Sequence, residues 1–101
     1  MHDSKYIEVA RIRNDAAREL HIYLEMSGDE VVLSPGHEID LLARPSPNVQ
    51  PLTVVYVSDG LQIYASREAD PDWHFRFNGR IYAAGSPEAT RLAALKTRDT
   101  P

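Results

Sequence analysis

Four histidines, His2, His21, His37 and His74, are the side chains best suited to acid–base or metal chemistry near neutral pH. None has the H-x-H, H-x3-H or HExxH spacing that places two imidazoles on one metal. His37, Glu38 and Asp40 can offer nitrogen and oxygen ligands beside a turn, yet the same residues read as a solvated strand start, the preferred reading. Glu68, Asp70 and Asp72 cluster before Trp73 and His74, a grouping that can serve calcium or acid–base work. Asp70-Pro71-Asp72 is first a turn, because aspartate accepts backbone hydrogen bonds and proline presets φ. No nucleophile elbow, phosphate-binding glycine loop, dinucleotide fingerprint or kinase motif occurs. The chain has no cysteine, so disulfides, thiolate zinc sites, iron–sulfur clusters, cysteine nucleophiles and blue copper are excluded. No cofactor or metal is expected.

Arg67, His74, Arg76 and Arg80 form the best basic group, interleaved with Trp73, Phe75, Phe77 and Tyr82. Such interleaving resembles single-strand nucleic-acid platforms. Strand alternation separates the charges from the rings, however, so the aromatics read as core. The 11 basic residues face 15 acidic ones, a formal charge of −4, which argues against nucleic acid as a partner. Arg91, Lys96 and Arg98 read as a solvated helix face rather than a lipid contact. No apolar run reaches the roughly 18–20 residues of a membrane helix. The first residues lack a secretory apolar stretch, so a cytoplasmic protein without membrane contact is expected.

The elements that must position these groups are legible as hairpins. Leu20, Ile22, Leu24 and Met26 alternate up to Gly28-Asp29, and Val31 and Leu33 follow. A type II′ turn at Gly28-Asp29 sets Leu24 opposite Leu33 and Met26 opposite Val31. Asp59-Gly60 suits a type I′ turn that sets Tyr56 opposite Ile63 and Val54 opposite Ala65. Leu52, Val54, Tyr56, Leu61 and Ile63 then share one face; Thr53, Val55, Val57, Gln62 and Tyr64 share the other. A strand apolar on both sides is usually central and covered, though it can mark an interface. Asn78-Gly79 is the strongest hairpin signal, pairing Phe75 with Tyr82 and turning His74 and Arg76 away beside Ile81 and Ala83.

Further strands are expected at Tyr6 to Arg13 and Glu38 to Ala43, the latter after the Ser34-Pro35-Gly36-His37 turn. Residues 15–20 contain good helix formers behind Asn14, but the alternation from Leu20 onward favours a loop and then a strand. Ser86 and Pro87 begin a short C-terminal helix over residues 86–98, with Ala89, Leu92 and Ala93 on one face.

Asn14, Leu20 to Glu25, Gly28-Asp29-Glu30, Leu33-Ser34-Pro35-Gly36 and Glu38 together resemble a pattern in small uncharacterised bacterial proteins. Those carry an asparagine, an alternating strand ending in glutamate, a glycine-acidic turn and an L-x-P-G-x-E step. Met26 stands where they carry proline. The resemblance covers about the first half of the chain and implies a small β-rich fold, without an activity.

With 43% apolar and 26% charged residues, the 101-residue chain reads as a single folded domain over residues 1–101. The expected fold is all-β and mainly antiparallel, a small β-sandwich or partly open barrel of seven or eight strands with a short C-terminal helix. Immunoglobulin-like or cupredoxin-like topology is the favoured form, and an α+β fold with an early helix is the alternative. The expected function is a non-enzymatic protein-interaction or accessory module, using Val55, Val57 and Tyr64 for a protein partner or self-association. The alternative is a small-ligand or metal-binding β-sandwich domain using His74, Arg76 or the His37-Glu38-Asp40 edge.

Overall fold

Asn78 and Gly79 both take positive φ, 52° and 80°, the backbone that a two-residue type I′ turn requires. Around them Phe75 pairs with Tyr82, His74 with Ala83 and Arg76 with Ile81, as the sequence predicts. The structure, a computed structural model, describes residues 5–67 and 70–85. Eight strands are present among the described residues: β1 (Ile7–Arg13), β2 (Leu20–Leu24), β3 (Asp29–Leu33), β4 (Glu38–Ala43), β5 (Thr53–Val57), β6 (Gly60–Tyr64), β7 (His74–Phe77) and β8 (Arg80–Ala83). They form two four-stranded sheets, β1-β4-β7-β8 and β3-β2-β6-β5, with no closed barrel.

Every neighbouring pair is antiparallel except β2 and β6, which run parallel. The strand order departs from the immunoglobulin arrangement, whose first two strands are sheet neighbours. Here β1 pairs β4, and β2 lies in the other sheet. No helix occurs among the described residues, and residues 14–19 form the expected loop rather than an early helix. The expected 86–98 helix and Glu68 lie outside the described residues.

Alternation places one face of each sheet in a common core. Ile12, Ile39, Leu41, Phe75 and Phe77 meet Ile22, Leu24, Val31, Leu33 and Ile63 from the opposite sheet. The Phe75 and Tyr82 rings stack with centroids 5.5 Å apart. Trp73 spans the layers, its indole N–H donating to the Glu25 carbonyl at 2.8 Å.

Two turns differ from their expected positions. Leu24 faces Asp29 rather than Leu33, and residues 25–28 form a four-residue loop. Beyond Leu24, Glu25 keeps its bond to β6 through its N–H to the Ile63 carbonyl, and its own carbonyl accepts from Trp73. Met26, in the loop, is 72% exposed. In the second hairpin Tyr56 faces Leu61 rather than Ile63, so Ser58 and Asp59 make the turn and Gly60 joins the strand.

Gly60 is needed there by close approach rather than by φ. A Cβ at that position would sit 1.7 Å from the His21 carbonyl oxygen across the parallel pair. Both shifts are an even number of residues, so the inward and outward assignments of each strand survive.

Asn14 is the one buried polar residue among those described. Its side-chain amide donates to the carbonyls of Leu33 and Arg18, and its oxygen accepts from the Ala16 N–H, each at 2.9 Å. Its backbone donates to His37 and accepts from Gly36. One residue thus joins the end of β3 and the 14–19 loop through its side chain, and the turn into β4 through its backbone.

Two substitutions probe these constraints by urea denaturation. Gly60→Ala should cost about 3 kcal/mol or more, since backbone must move to admit the methyl. Asn14→Ala should cost about 2–3 kcal/mol by leaving buried backbone groups unpaired. Wild-type stability in either variant would remove the corresponding constraint.

Candidate functional site

The residues nominated by sequence divide between opposite outer faces. Val55, Val57 and Tyr64 lie on the outer face of the β3-β2-β6-β5 sheet, whereas His74 and Arg76 lie on that of the β1-β4-β7-β8 sheet. No single site contains both groups.

On the β1-β4-β7-β8 face, Asp40 sits between two arginines. Arg11 Nε donates to it at 2.8 Å, and Arg76 donates at 3.0 Å while also pairing Glu8 at 2.6 Å. The Arg11 hydrogen bond, followed by that from Arg76, holds the Asp40 carboxyl below the usual range against a desolvation that raises it. His37, Glu38, Asp40 and Arg76 do converge on a depression of about 360 Å³ near the β7–β8 turn. The Asp40 carboxylate and the Arg76 guanidinium are already paired with each other there. His74 is engaged at both ring nitrogens, Nε2 with the Tyr6 hydroxyl at 3.0 Å and Nδ1 with the Asp72 carbonyl at 2.8 Å. Asp70 and Asp72 behave as a turn, the Asp72 N–H donating to the Asp70 carboxylate at 3.0 Å. No cluster of three or more His, Asp or Glu side chains able to hold a metal occurs among the described residues. Trp73, Phe75 and Phe77 are buried core rather than an exposed stacking surface.

The opposite face holds a second polar group, on β2 and β3. His21 and Tyr23 alternate outward on β2 with rings 6.2 Å apart and nearly parallel. His21 Nδ1 bonds the Glu30 carboxylate on β3, and the Tyr23 hydroxyl donates to Asp59 at 2.7 Å. The hydrogen bond to Glu30 raises the His21 pKa above its ordinary 6.5, opposed by partial desolvation and aided by the charges of Glu30, Asp59 and Glu19. The Asp59 bond, with partial burial, pushes the Tyr23 hydroxyl up to about 12. A cavity of about 430 Å³ opens beside them, bordered by Arg18, Glu19, His21, Tyr56, Ser58 and Asp59.

The same sheet ends in β5, whose nearest described neighbour is β6 alone. The strand expected to be central is therefore an edge, exposed on both sides. Val54 is 54%, Val55 38% and Tyr56 87% exposed, while Val57 and Tyr64 are half-buried. Val54 and Tyr56 share the core-side face with Ile63 and Leu61, and exposure there escaped sequence reading. The uncharged run from Thr53 to Val57 carries no local signal that separates an edge from a covered strand.

The other three edges carry charges. β1 has Glu8, Arg11 and Arg13 and a register irregularity between Glu8 and Ala10. β3 begins Asp29-Glu30, and the four-residue β8 begins with Arg80. Such devices discourage edge pairing, and β5 has none of them.

No protein-family profile, curated protein or solved structure matches the chain. No described helix is long and apolar enough to cross a membrane.

The His21–Glu30 pair gives a signed pH effect. A raised folded-state pKa means the native protein binds more protons than the unfolded chain, so this contribution falls as pH rises. The stability advantage of wild type over Glu30→Gln should be full below about pH 6.5 and disappear as pH rises through the His21 midpoint. Imidazole NMR titration of both proteins checks it, with the His21 midpoint expected to be lower in the variant. Equal midpoints would remove the role of Glu30.

Proposed function

We propose that this chain is a non-enzymatic protein-interaction or accessory module that engages its partner at the β5 edge. The single observation carrying this reading is that β5, Thr53-Val54-Val55-Tyr56-Val57, is the one uncharged edge among the described strands. An edge strand presents a row of unpaired backbone donors and acceptors, and an extended partner segment satisfies them by adding a strand. Backbone hydrogen bonds supply affinity in that mode, while exposed side chains on the two faces supply selectivity. Val55, with Val57 and Tyr64 beside it, contributes on the outer face; Val54 and Tyr56 contribute on the other. The β-sandwich frame holds this edge in register through β6, which is itself tied to β2.

The polar groups elsewhere support the same reading. Asp40 and Arg76 bond each other, and His21, Tyr23 and His74 bond the side chains of Glu30, Asp59 and Tyr6, which suits structural roles.

Affinity capture from the native host, coupled to cross-linking mass spectrometry, tests the proposal. Wild type should retain a partner cross-linked next to residues 53–57, and a folded Val55→Lys variant should lose it by at least about tenfold. A partner held equally by both proteins, or cross-linked only elsewhere, would overturn this assignment of the surface.

A further inference from the structure

We infer that the occupant of the β5 edge is a second copy of this chain, paired antiparallel about a twofold axis through Val55. The inference rests on β5 being a docking edge and adds the identity of what docks there. Charge makes the first argument. β5 carries no charge, so it offers a basic or acidic segment no counter-charge, whereas another β5 matches it. In the twofold register Val55 faces its own counterpart, Val54 faces Tyr56 and Thr53 faces Val57. Continuing outward, Leu52 faces Ser58 and Pro51 faces Asp59, so no two like charges are directly opposed.

Exposure makes the second. A single partner must cover apolar side chains on both faces, since Val54 and Tyr56 lie on the core side and Val55 on the other. Twofold pairing creates two equivalent Val54–Tyr56 cross-strand pairs on the core side and a Val55–Val55 pair on the outer side. Pairs of an aromatic with a β-branched residue are among the favourable cross-strand combinations.

Topology makes the third. The opposite edge of the same sheet, β3, begins with Asp29 and Glu30 and does not offer a matching neutral strand. Pairing through β5 is isologous and closed, ending at one continuous eight-stranded sheet rather than a fibre.

The test uses the full chain. Analytical ultracentrifugation from micromolar to millimolar concentration should show a species of twice 11.4 kDa. Each copy carries a formal charge of −4, so added salt should strengthen this association, the reverse of pairing with an oppositely charged partner. Val55→Lys should be monomeric with an unchanged circular dichroism spectrum, because two lysines would meet on the axis. Mixing Val55→Lys with Val55→Glu should restore the dimer, an outcome specific to this register.

Cysteine substitution gives a second readout in a chain with no cysteine of its own. Val55→Cys should form an intermolecular disulfide on mild oxidation, since directly opposed residues lie within bridging distance. Val57→Cys should not, because its counterpart is four residues away across the axis.

A mass of 11.4 kDa throughout, with no cross-link from Val55→Cys, overturns the second copy. If β5 amides then exchange freely with solvent, the edge is open and the docking reading stands or falls with the capture experiment. If those amides are protected in the monomer, the chain covers its own edge and both readings fail.

Discussion

The contact on which this architecture turns is the approach of β6 to the backbone of His21. Parallel pairing of β2 with β6 brings Gly60 so close to the His21 carbonyl that no side chain fits. A glycine suited to a tight turn is thereby drawn into a strand, and the turn moves back to Ser58 and Asp59. The Asp59 carbonyl then accepts from the His21 N–H, and its carboxylate accepts from Tyr23. At the far end of the same pair, the Ile63 carbonyl accepts from the Glu25 N–H. The parallel junction thus fixes the place of Gly60 and sets β2 and β6 at the centre of the sheet β3-β2-β6-β5.

That order has an energetic consequence. The order gives Ile22, Leu24 and Ile63 of the central strands, and Val31 and Leu33 of the β3 edge, nearly complete burial. It leaves β5 at the rim, where Val54 and Tyr56 face the core side but remain exposed. Exposed apolar groups in a strand forfeit the burial that stabilises the others, by roughly 25 cal/mol for each Å² left in water. A partner at that edge recovers this term and the unpaired backbone together, which is the physical logic of the proposed interaction.

The polar side chains follow the opposite rule. Asn14, buried, satisfies three side-chain hydrogen bonds and ties the end of β3 to the 14–19 loop. Arg11, Asp40, Arg76 and Glu8 form a chain of alternating charges across β1, β4 and β7. Partly exposed networks of this kind add little stability per pair, but they commit their charges to each other. Arg76 and Asp40 are paired with each other, an arrangement that needs β1, β4 and β7 side by side.

Local sequence determined what depends on neighbours a few residues apart. Asn78-Gly79 specified its turn because no other common pair accepts two positive φ values so readily, and Phe75 duly faces Tyr82. Strand alternation marked Ile22, Leu24, Val31, Leu33 and Phe75 as inward, and an even slip in register left that marking intact. The exposure of Met26, the true place of Gly60, the rim position of β5 and the separation of His74 from Tyr64 were decided by tertiary structure. Each depends on which strand lies beside which, and strand neighbours distant in sequence are chosen by the packing of the whole core. Backbone pairing is blind to side-chain identity, so a pattern such as Thr53 to Val57 is the same whether the strand ends up covered or at an edge.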